Sequence, residues 1–444
     1  MIFVLRKHSF LGTFIFYRKK KGLINMKLLE ELKWRGLVYD IINEEELSKR
    51  LEEKPITLYC GFDPTADSLH MGSLLPIVTL MRFRKAGHRV IALTGGATGM
   101  IGDPSGKKAE RQLNDIDIIQ RWSDNFKKQF SKFIDFDNVN SFSLDNYDWL
   151  SKISILELWR DFGKHFGINY MLAKDSVKSR LESGISYSEF SYMIMQSIDF
   201  LKMYQNPLLQ CEMQIGGQDQ WGNITAGMEL IRKVEGSDAK VFGLTIPLIT
   251  KADGTKYGKT ESGAVWLDGE KTSPYEMYQF LINTADADVI RLVKFFTFLS
   301  VDEITKLEES LKTEPHLRLA QKALAKEVVT MVHGEAGLKE AIKVTEALFS
   351  GEIKELSAKE IEIGFKGLSN IELTNELLLI DALIECKLAS SKREAREFIQ
   401  NGAVSVNGDV VKDVTFVITT PKLFDGKFTI LRRGKKNYAM ISHR

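Results

Sequence analysis

Between residues 56 and 96 the chain reads "ITLYCGF", "DPTADSLH", "MGSLLPIVTLMRFRKAGH" and "RVIALTGG". A β-branched and aromatic run is followed by turn formers, then by apolar positions at helical spacing that end on a glycine stop. A second strand-like run closes the unit. Two strands joined through a helix are parallel partners, and a parallel sheet takes its ligands at the carboxyl ends of its strands. The expected class is therefore α/β, with a Rossmann-type parallel sheet. The helical pattern is clearest from Ser73, which puts Pro76 in the first turn, where a missing N–H is tolerated.

At 444 residues the chain exceeds one ordinary core, so several domains are expected. Residues 115–232 read as mainly helical, with a strand near "LLQCEMQIGG". Amphipathic helical patterns fill 272–350, residues 351–375 read as a linker, and 376–444 change to two short helices followed by β-branched runs around an "NG" turn. The expected division is 26–271 for the parallel-sheet domain, 272–350 for an α-helical domain and 376–444 for a small α+β domain. Residues 1–25 carry six basic residues and no acid, which leaves a net charge of −4 over the rest. They read as an appended, disordered extension without a catalytic role, and their pattern disfavours a secretory signal. Contact with nucleic acid must then come from local patches. The three cysteines lack metal-site spacing and fit a reducing, cytoplasmic setting, with no metal site expected. No apolar run reaches the roughly 18 residues of a membrane span.

Several stretches carry chemistry. His70 and Gly72 fall between a strand and a helix N-terminus, whose free N–H groups and dipole favour phosphate. Alone, such a histidine serves equally well as a cap. "TKADGTKYGKTESG" (250–263) places Lys256, Lys259 and Thr260 in a glycine-containing loop, either a solvated turn or a phosphate clamp on a flexible hinge. In "SEFSYMIMQSIDFLKMY" (188–204), Tyr192, Gln196 and Asp199 share one helix face, which lines a pocket or meets solvent. "QIGGQDQWGNIT" (214–225) joins Gly216 and Gly217 to Asp219, Gln220 and Asn223, either a plain turn or an acid suited to ribose hydroxyls. "GGATGMIGDPSGKKAER" (95–111) lacks Walker A spacing, which argues against a P-loop ATPase. Residues 422–444 carry seven basic residues against one acid, a density that favours phosphate contact.

In this order, "YCGFDPTADSLH", "GGATGMIGDPSGKK", "SYMIMQSIDF", "GGQDQWGNIT" and "KADGTKYGKT" resemble the bacterial-type tyrosyl-tRNA synthetases, class I aminoacyl-tRNA synthetases. The likeness covers about 26–444. It implies a homodimer that uses ATP, with Mg²⁺, to convert L-tyrosine to tyrosyl-adenylate and then charges the 3′ end of tRNA(Tyr). It assigns Tyr59 and Asp199 to the substrate phenol, and Asp103, Tyr192 and Gln196 to the α-amino group. Asp63, Thr65, His70, Gly72, Ser73, Gly217, Asp219 and Gln220 fall to ATP, with Cys60 a nucleotide neighbour. Lys107, Arg111, Lys256, Lys259 and Thr260 join His70 in charge neutralisation. Ser73 departs from the family's usual second histidine, which puts the ATP affinity in question. "ASSKREAREFIQNGAVSVNG" (389–408) resembles an RNA-binding module shared with a ribosomal protein, which points to Lys392, Arg393, Arg396, Arg432, Arg433, Lys435 and Lys436 as RNA contacts. The alternatives are a tryptophanyl-tRNA synthetase, a nucleotidyltransferase and a synthetase-derived RNA-binding or splicing factor.

Overall fold

The computed structural model describes residues 26–107, 114–182, 184–260, 263–366, 369–434 and 437–444; for Lys259 and Thr260 it describes the backbone alone. The expectations for residues 1–25, Arg111, Lys435 and Lys436, and for the side chains of Lys259 and Thr260, lie outside the described residues.

The central sheet has six strands, β1 (Asp40–Ile41), β2 (Thr57–Phe62), β3 (Arg89–Thr94), β4 (Ser141–Asp145), β5 (Cys211–Gly217) and β6 (Phe242–Ile246), in the order β1-β6-β5-β2-β3-β4. All neighbours are parallel except β1, which runs antiparallel to β6. The chain builds outward from β2 through β3 and β4, then returns to add β5 and β6 on the other side of β2. The order reverses between β2 and β5, and such a switch point leaves a crevice at the carboxyl ends of the strands. Between β2 and β3 runs a helix, Met71–Lys85, which follows α1 (Leu28–Trp34) and is labelled α2.

Two local expectations change. Helix α2 starts earlier than its apolar spacing suggests, because His70 caps it: the His70 side chain accepts from the Gly72 N–H. Pro76 therefore lies inside the helix and not in its first turn, and it offers no N–H to the Gly72 carbonyl one turn back. Strand β4 falls in the stretch read as mainly helical. Its "SFSLD" alternates with period two, but serines replace the usual β-branched residues at this sheet edge. The other long helices of this region are α3 (Ile116–Phe130), α4 (Tyr187–Gln205) and α5 (Trp221–Glu235).

A short hairpin, β7 (Lys259–Thr260) and β8 (Gly263–Ala264), leads into α6 (Pro274–Ile282), α7 (Asp286–Phe296), α8 (Val301–Thr313) and α9 (Leu319–Ser350). Helix α9 breaks at Gly334, whose φ is 76°. One apolar core runs from Leu58 and Leu75 of the sheet domain through Leu292 and Phe296 to Val328 and Leu338. Arg35 and Arg82 clasp the carbonyls at the end of α7: both donate to Thr297 O, Arg35 also reaches Leu299 O at 2.7 Å, and Glu31 bridges the two guanidinium groups.

The segment 351–375, expected to be a linker, is folded. It contains α10 (Ala358–Gly364) and β9 (Asn370–Leu373). The reason is apolar content: Ile353, Ile361 and Phe365 bury against Val344 of α9 and against Phe424, Ile430 and Met440. Strand β9 pairs in parallel with the last strand of a five-stranded sheet. The remaining elements are β10 (Leu377–Leu378), α11 (Leu379–Glu385), α12 (Lys392–Gln400), β11 (Val404–Val406), β12 (Asp409–Val410), β13 (Val417–Ile418), β14 (Phe428–Arg433) and β15 (Asn437–His443). The "NG" turn closes β11 onto β12, with positive φ at Asn407 (49°) and Gly408 (89°), as a type I′ hairpin requires. Among the described residues, no helix is long and apolar enough to cross a membrane.

Candidate active site

At the switch point a cavity of about 650 Å³ opens at the ends of β2 and β5. This volume suits a small-molecule ligand. It brings together most of the residues singled out from the sequence. The floor holds Tyr59, Cys60 and Asp63 from β2 and its following turn; α4 contributes Tyr192, Gln196 and Asp199. Gly217 at the end of β5 and Asp219 and Gln220 just past it line the cavity, while Thr65, His70, Gly72 and Ser73 approach from the start of α2. Asp103, Lys107 and Lys256 complete the rim. The one-face spacing on α4 thus lines a pocket and does not meet solvent.

The closed end is built around Asp199. Trp149 Nε1 donates to its Oδ1 at 2.8 Å, and Asn146 Nδ2 donates to its Oδ2 at 2.9 Å. Asn146 is itself fixed, donating to Thr98 Oγ1 and accepting from the Ala97 N–H at 2.8 Å. Burial pushes the Asp199 carboxyl up to about 8, against the pull of those two donors. The Tyr59 ring packs 5.4 Å from Phe200, and its hydroxyl is buried without a hydrogen-bond partner among the described residues. Burial first, and then the neighbouring Asp199 charge, hold that phenol well above its ordinary pKa, so it remains a donor. An acceptor and a donor therefore line one end of the same cavity.

The middle is acidic and amide-rich. Asp63 accepts from Tyr192 Oη and from Thr98 Oγ1, each at 2.7 Å. Asp103 accepts from Gln220 Nε2 at 2.6 Å, and Gln196 Oε1 accepts from Asn223 Nδ2 at 3.1 Å. Burial, reinforced by Asp103, raises the Asp219 carboxyl.

At the open end the His70 turn and the lysine loop are knitted together. His70 Nδ1 accepts from the Gly72 N–H at 3.0 Å, with Ser73 Oγ at 3.5 Å. With Nδ1 engaged as acceptor, a neutral ring carries its proton on Nε2. The Met71 N–H donates to Val265 O and the Leu267 N–H to Leu69 O, so the strand after the lysines pairs with the chain entering α2. Gly258 packs against Met71 with φ at 86°; a Cβ there would lie 2.9 Å from Met71 Cβ. The strand–turn–helix signature and the lysine loop are one structural unit.

Asn223, singled out beside Gln220 in the sequence, joins the site through Gln196, whereas sequence reasoning missed Asn146, Trp149 and Thr98. None repeats at a helical or strand period with the residues it supports; the signal was confined to their polarity within otherwise apolar or turn-forming stretches. The C-terminal basic residues stand apart from the cavity. Lys392 pairs with Asp381 at 2.7 Å, and the Arg432 and Arg433 guanidinium groups lie over Tyr438 (6.0 Å) and Phe398 (5.0 Å). These three are engaged within the fold, whereas Arg393 and Arg396 are exposed on α12.

A parallel sheet with this reversal, a histidine–glycine helix cap and a lysine loop paired to it define a class I aminoacyl-tRNA synthetase. Residues 51–350 match the family model of class I tRNA synthetases (W and Y), and residues 360–441 match the SYY-like C-terminal domain of tyrosine–tRNA ligase. Tyrosine–tRNA ligase 1 of Bacillus subtilis is 57% identical over 421 residues, covering 94% of this chain and 99% of that protein. The ligase of Bacillus velezensis is 58% identical over 420 residues, again covering 94% and 99%. A C-terminally truncated mitochondrial tyrosyl-tRNA synthetase of Aspergillus nidulans superposes with a TM-score of 0.65 at 32% identity, covering 73% of this chain and 94% of that one. The chain belongs to the tyrosine–tRNA ligase family. The tryptophan-directed and non-catalytic alternatives find no support beside relatives of this identity.

Proposed function

We propose that the cavity activates L-tyrosine with ATP and then passes the tyrosyl group from the adenylate to the 3′ end of tRNA(Tyr). The observation that carries this reading is the pairing of the Asp199 acceptor with the unpartnered Tyr59 donor. The substrate phenol donates to Asp199 and accepts from Tyr59. Its ammonium group is taken by Asp103, Tyr192 and Gln196. Asp219, Gly217, Gln220 and Asp63 hold the adenosine, with Thr65, Gly72 and Ser73 beside the ribose and phosphates. The tyrosine carboxylate is already ionised at neutral pH, so attack on the α-phosphate needs alignment and charge neutralisation, not a general base. His70, Lys107, Arg111, Lys256, Lys259 and Thr260 supply those donors. ATP enters with Mg²⁺ on its phosphates. Tyrosine-dependent ATP–pyrophosphate exchange, compared with tryptophan and phenylalanine, tests the reading; equal exchange with all three would overturn it.

The domain roles follow as catalytic (26–271), anticodon-side (272–350) and RNA-binding (from about 351, since β9 joins the C-terminal sheet). Arg393 and Arg396 with Lys392, Arg432, Arg433, Lys435 and Lys436 form the RNA footprint, and a cytoplasmic setting suits the free cysteines. A homodimer is supported by apolar surface: Leu156 and Tyr187 are 76% and 61% exposed, and the Trp159 ring lies 6.0 Å from Tyr187 at a tilt of 57°. Sedimentation at twice the chain mass, falling to one chain mass in Tyr187→Asp, checks this; monomeric wild-type protein would refute it.

The raised Asp199 carboxyl sets a pH dependence. A phenol donating to Asp199 favours its charged form, so the bound complex has the lower pKa. Tyrosine binding then expels a proton at pH 7. Affinity rises with pH up to about 8, where the free carboxyl titrates, and levels off above it. Calorimetric titration should show about a tenfold gain in tyrosine affinity between pH 6.5 and 8.5, given tenfold per unit of coupled titration at most. A flat wild-type profile would refute the linkage.

A further inference from the structure

The lysine loop is anchored on the helical domain. Residues 250–256 form a closed turn in which the Lys251 N–H donates to Thr255 O at 2.7 Å and Asp253 accepts from the Thr255 N–H at 2.8 Å. Thr250 and Lys256 face each other across its base. That base is gripped from α7. Asp288, only 5% exposed, accepts from the Ala252 N–H at 3.1 Å through Oδ2 and from Arg291 Nη2 at 2.8 Å through Oδ1. The same Arg291 nitrogen donates to the Thr250 carbonyl. Just past Lys256, the Tyr257 ring is buried 4.9 Å from Phe280 of α6, and its hydroxyl lies 3.4 Å from Thr284 Oγ1. Lys256 thus lines the nucleotide cavity while the backbone on both sides of it rests on α6, α7 and the turn between them.

The geometry points to Asp288 and Arg291 as positioning residues for the triphosphate lysines, by which the helical domain sets the rate of tyrosine activation. The guanidinium fixes both a carboxylate and a backbone carbonyl, so it holds the turn in register in a way an apolar contact would not. Neither residue lines the cavity. Their effect therefore passes through the loop and leaves tyrosine recognition at the far end untouched. The inference rests on the proposed role of Lys256 and Lys259 at the phosphates.

The test is a double-mutant cycle of Arg291→Met with Lys259→Ala, read as pyrophosphate exchange and thermal melting on the full chain. Arg291→Met is expected to lower kcat about tenfold, to leave the tyrosine KM within about twofold, and to be partly rescued as Arg291→Lys. In the Lys259→Ala background its effect should shrink to about twofold or less, because the group it positions is gone. An unchanged kcat, or an equal loss in both backgrounds, overturns the inference. The Lys259→Ala enzyme alone reports separately on the underlying reading: if its exchange is unimpaired, the phosphate role fails, whatever Arg291→Met does. Should Arg291→Met fail to fold, Arg291→Gln is put through the same cycle.

Discussion

Replacing Asp199 with alanine should lower kcat/KM for tyrosine activation on the order of 10³-fold and leave phenylalanine activation nearly unchanged. The tyrosine phenol loses a hydrogen bond to a charged acceptor, about 1.5–3 kcal/mol, and its own hydroxyl is left unsatisfied beside buried groups at about 1–3 kcal/mol more. At 1.4 kcal/mol per decade, the sum spans the stated loss. Phenylalanine never made that bond, so the preference for tyrosine collapses by a similar factor. The full preference expected of the intact site is about 10⁵, a figure that belongs to tyrosine-selective synthetases themselves and does not come from this geometry. The substitution also strands the Asn146 and Trp149 donors that Asp199 satisfies. Competitive exchange with both amino acids measures the ratio, and a preserved ratio would exclude Asp199 from phenol recognition.

The second large effect belongs to Lys259. Its alanine variant should slow activation by about 10²–10³-fold, since removing one preorganised donor from charge developing in a transition state costs about 2.7–4 kcal/mol. The loss should appear in kcat with tyrosine binding intact, because the phenol end of the cavity lies beyond the reach of the loop. Transfer from preformed adenylate should be affected far less, the pyrophosphate having already left. Pre-steady-state formation of adenylate separates the two steps. Equal losses in both would point to a general disturbance of the site, and an unchanged exchange rate would remove Lys259 from the mechanism.

The parallel unit was legible because strand, crossover helix and strand each carry their own period within 40 residues. Tyr192, Gln196 and Asp199 were legible as a set for the same reason: one helix fixes their common face. What escaped was whatever depends on contacts across the chain. Asn146 and Trp149 come from a segment of short turns and reach Asp199 across 53 and 50 residues. Asp288 and Arg291 reach the lysine loop across 36 and 41 residues, and in sequence they are only charges on an amphipathic helix. The early start of α2 was hidden because its cap is a histidine, not one of the usual capping residues. The folded nature of 351–375 was hidden by its charge, which masks the few apolar positions that bury.

The apolar core that passes without interruption from the parallel sheet into α6–α9 bears on how the molecule comes apart. Elements sharing one core lose their packing together, whereas the C-terminal sheet has an apolar cluster around Leu379, Leu431 and Ile441. The parallel-sheet and helical domains are therefore expected to melt in one transition, even though the sequence changes character near 272. The C-terminal sheet has a core of its own but is seamed to α9, where Ile430 and Met440 pack with Val344 and Tyr438 Oη donates to Leu348 O, so that seam must part before the module can unfold separately.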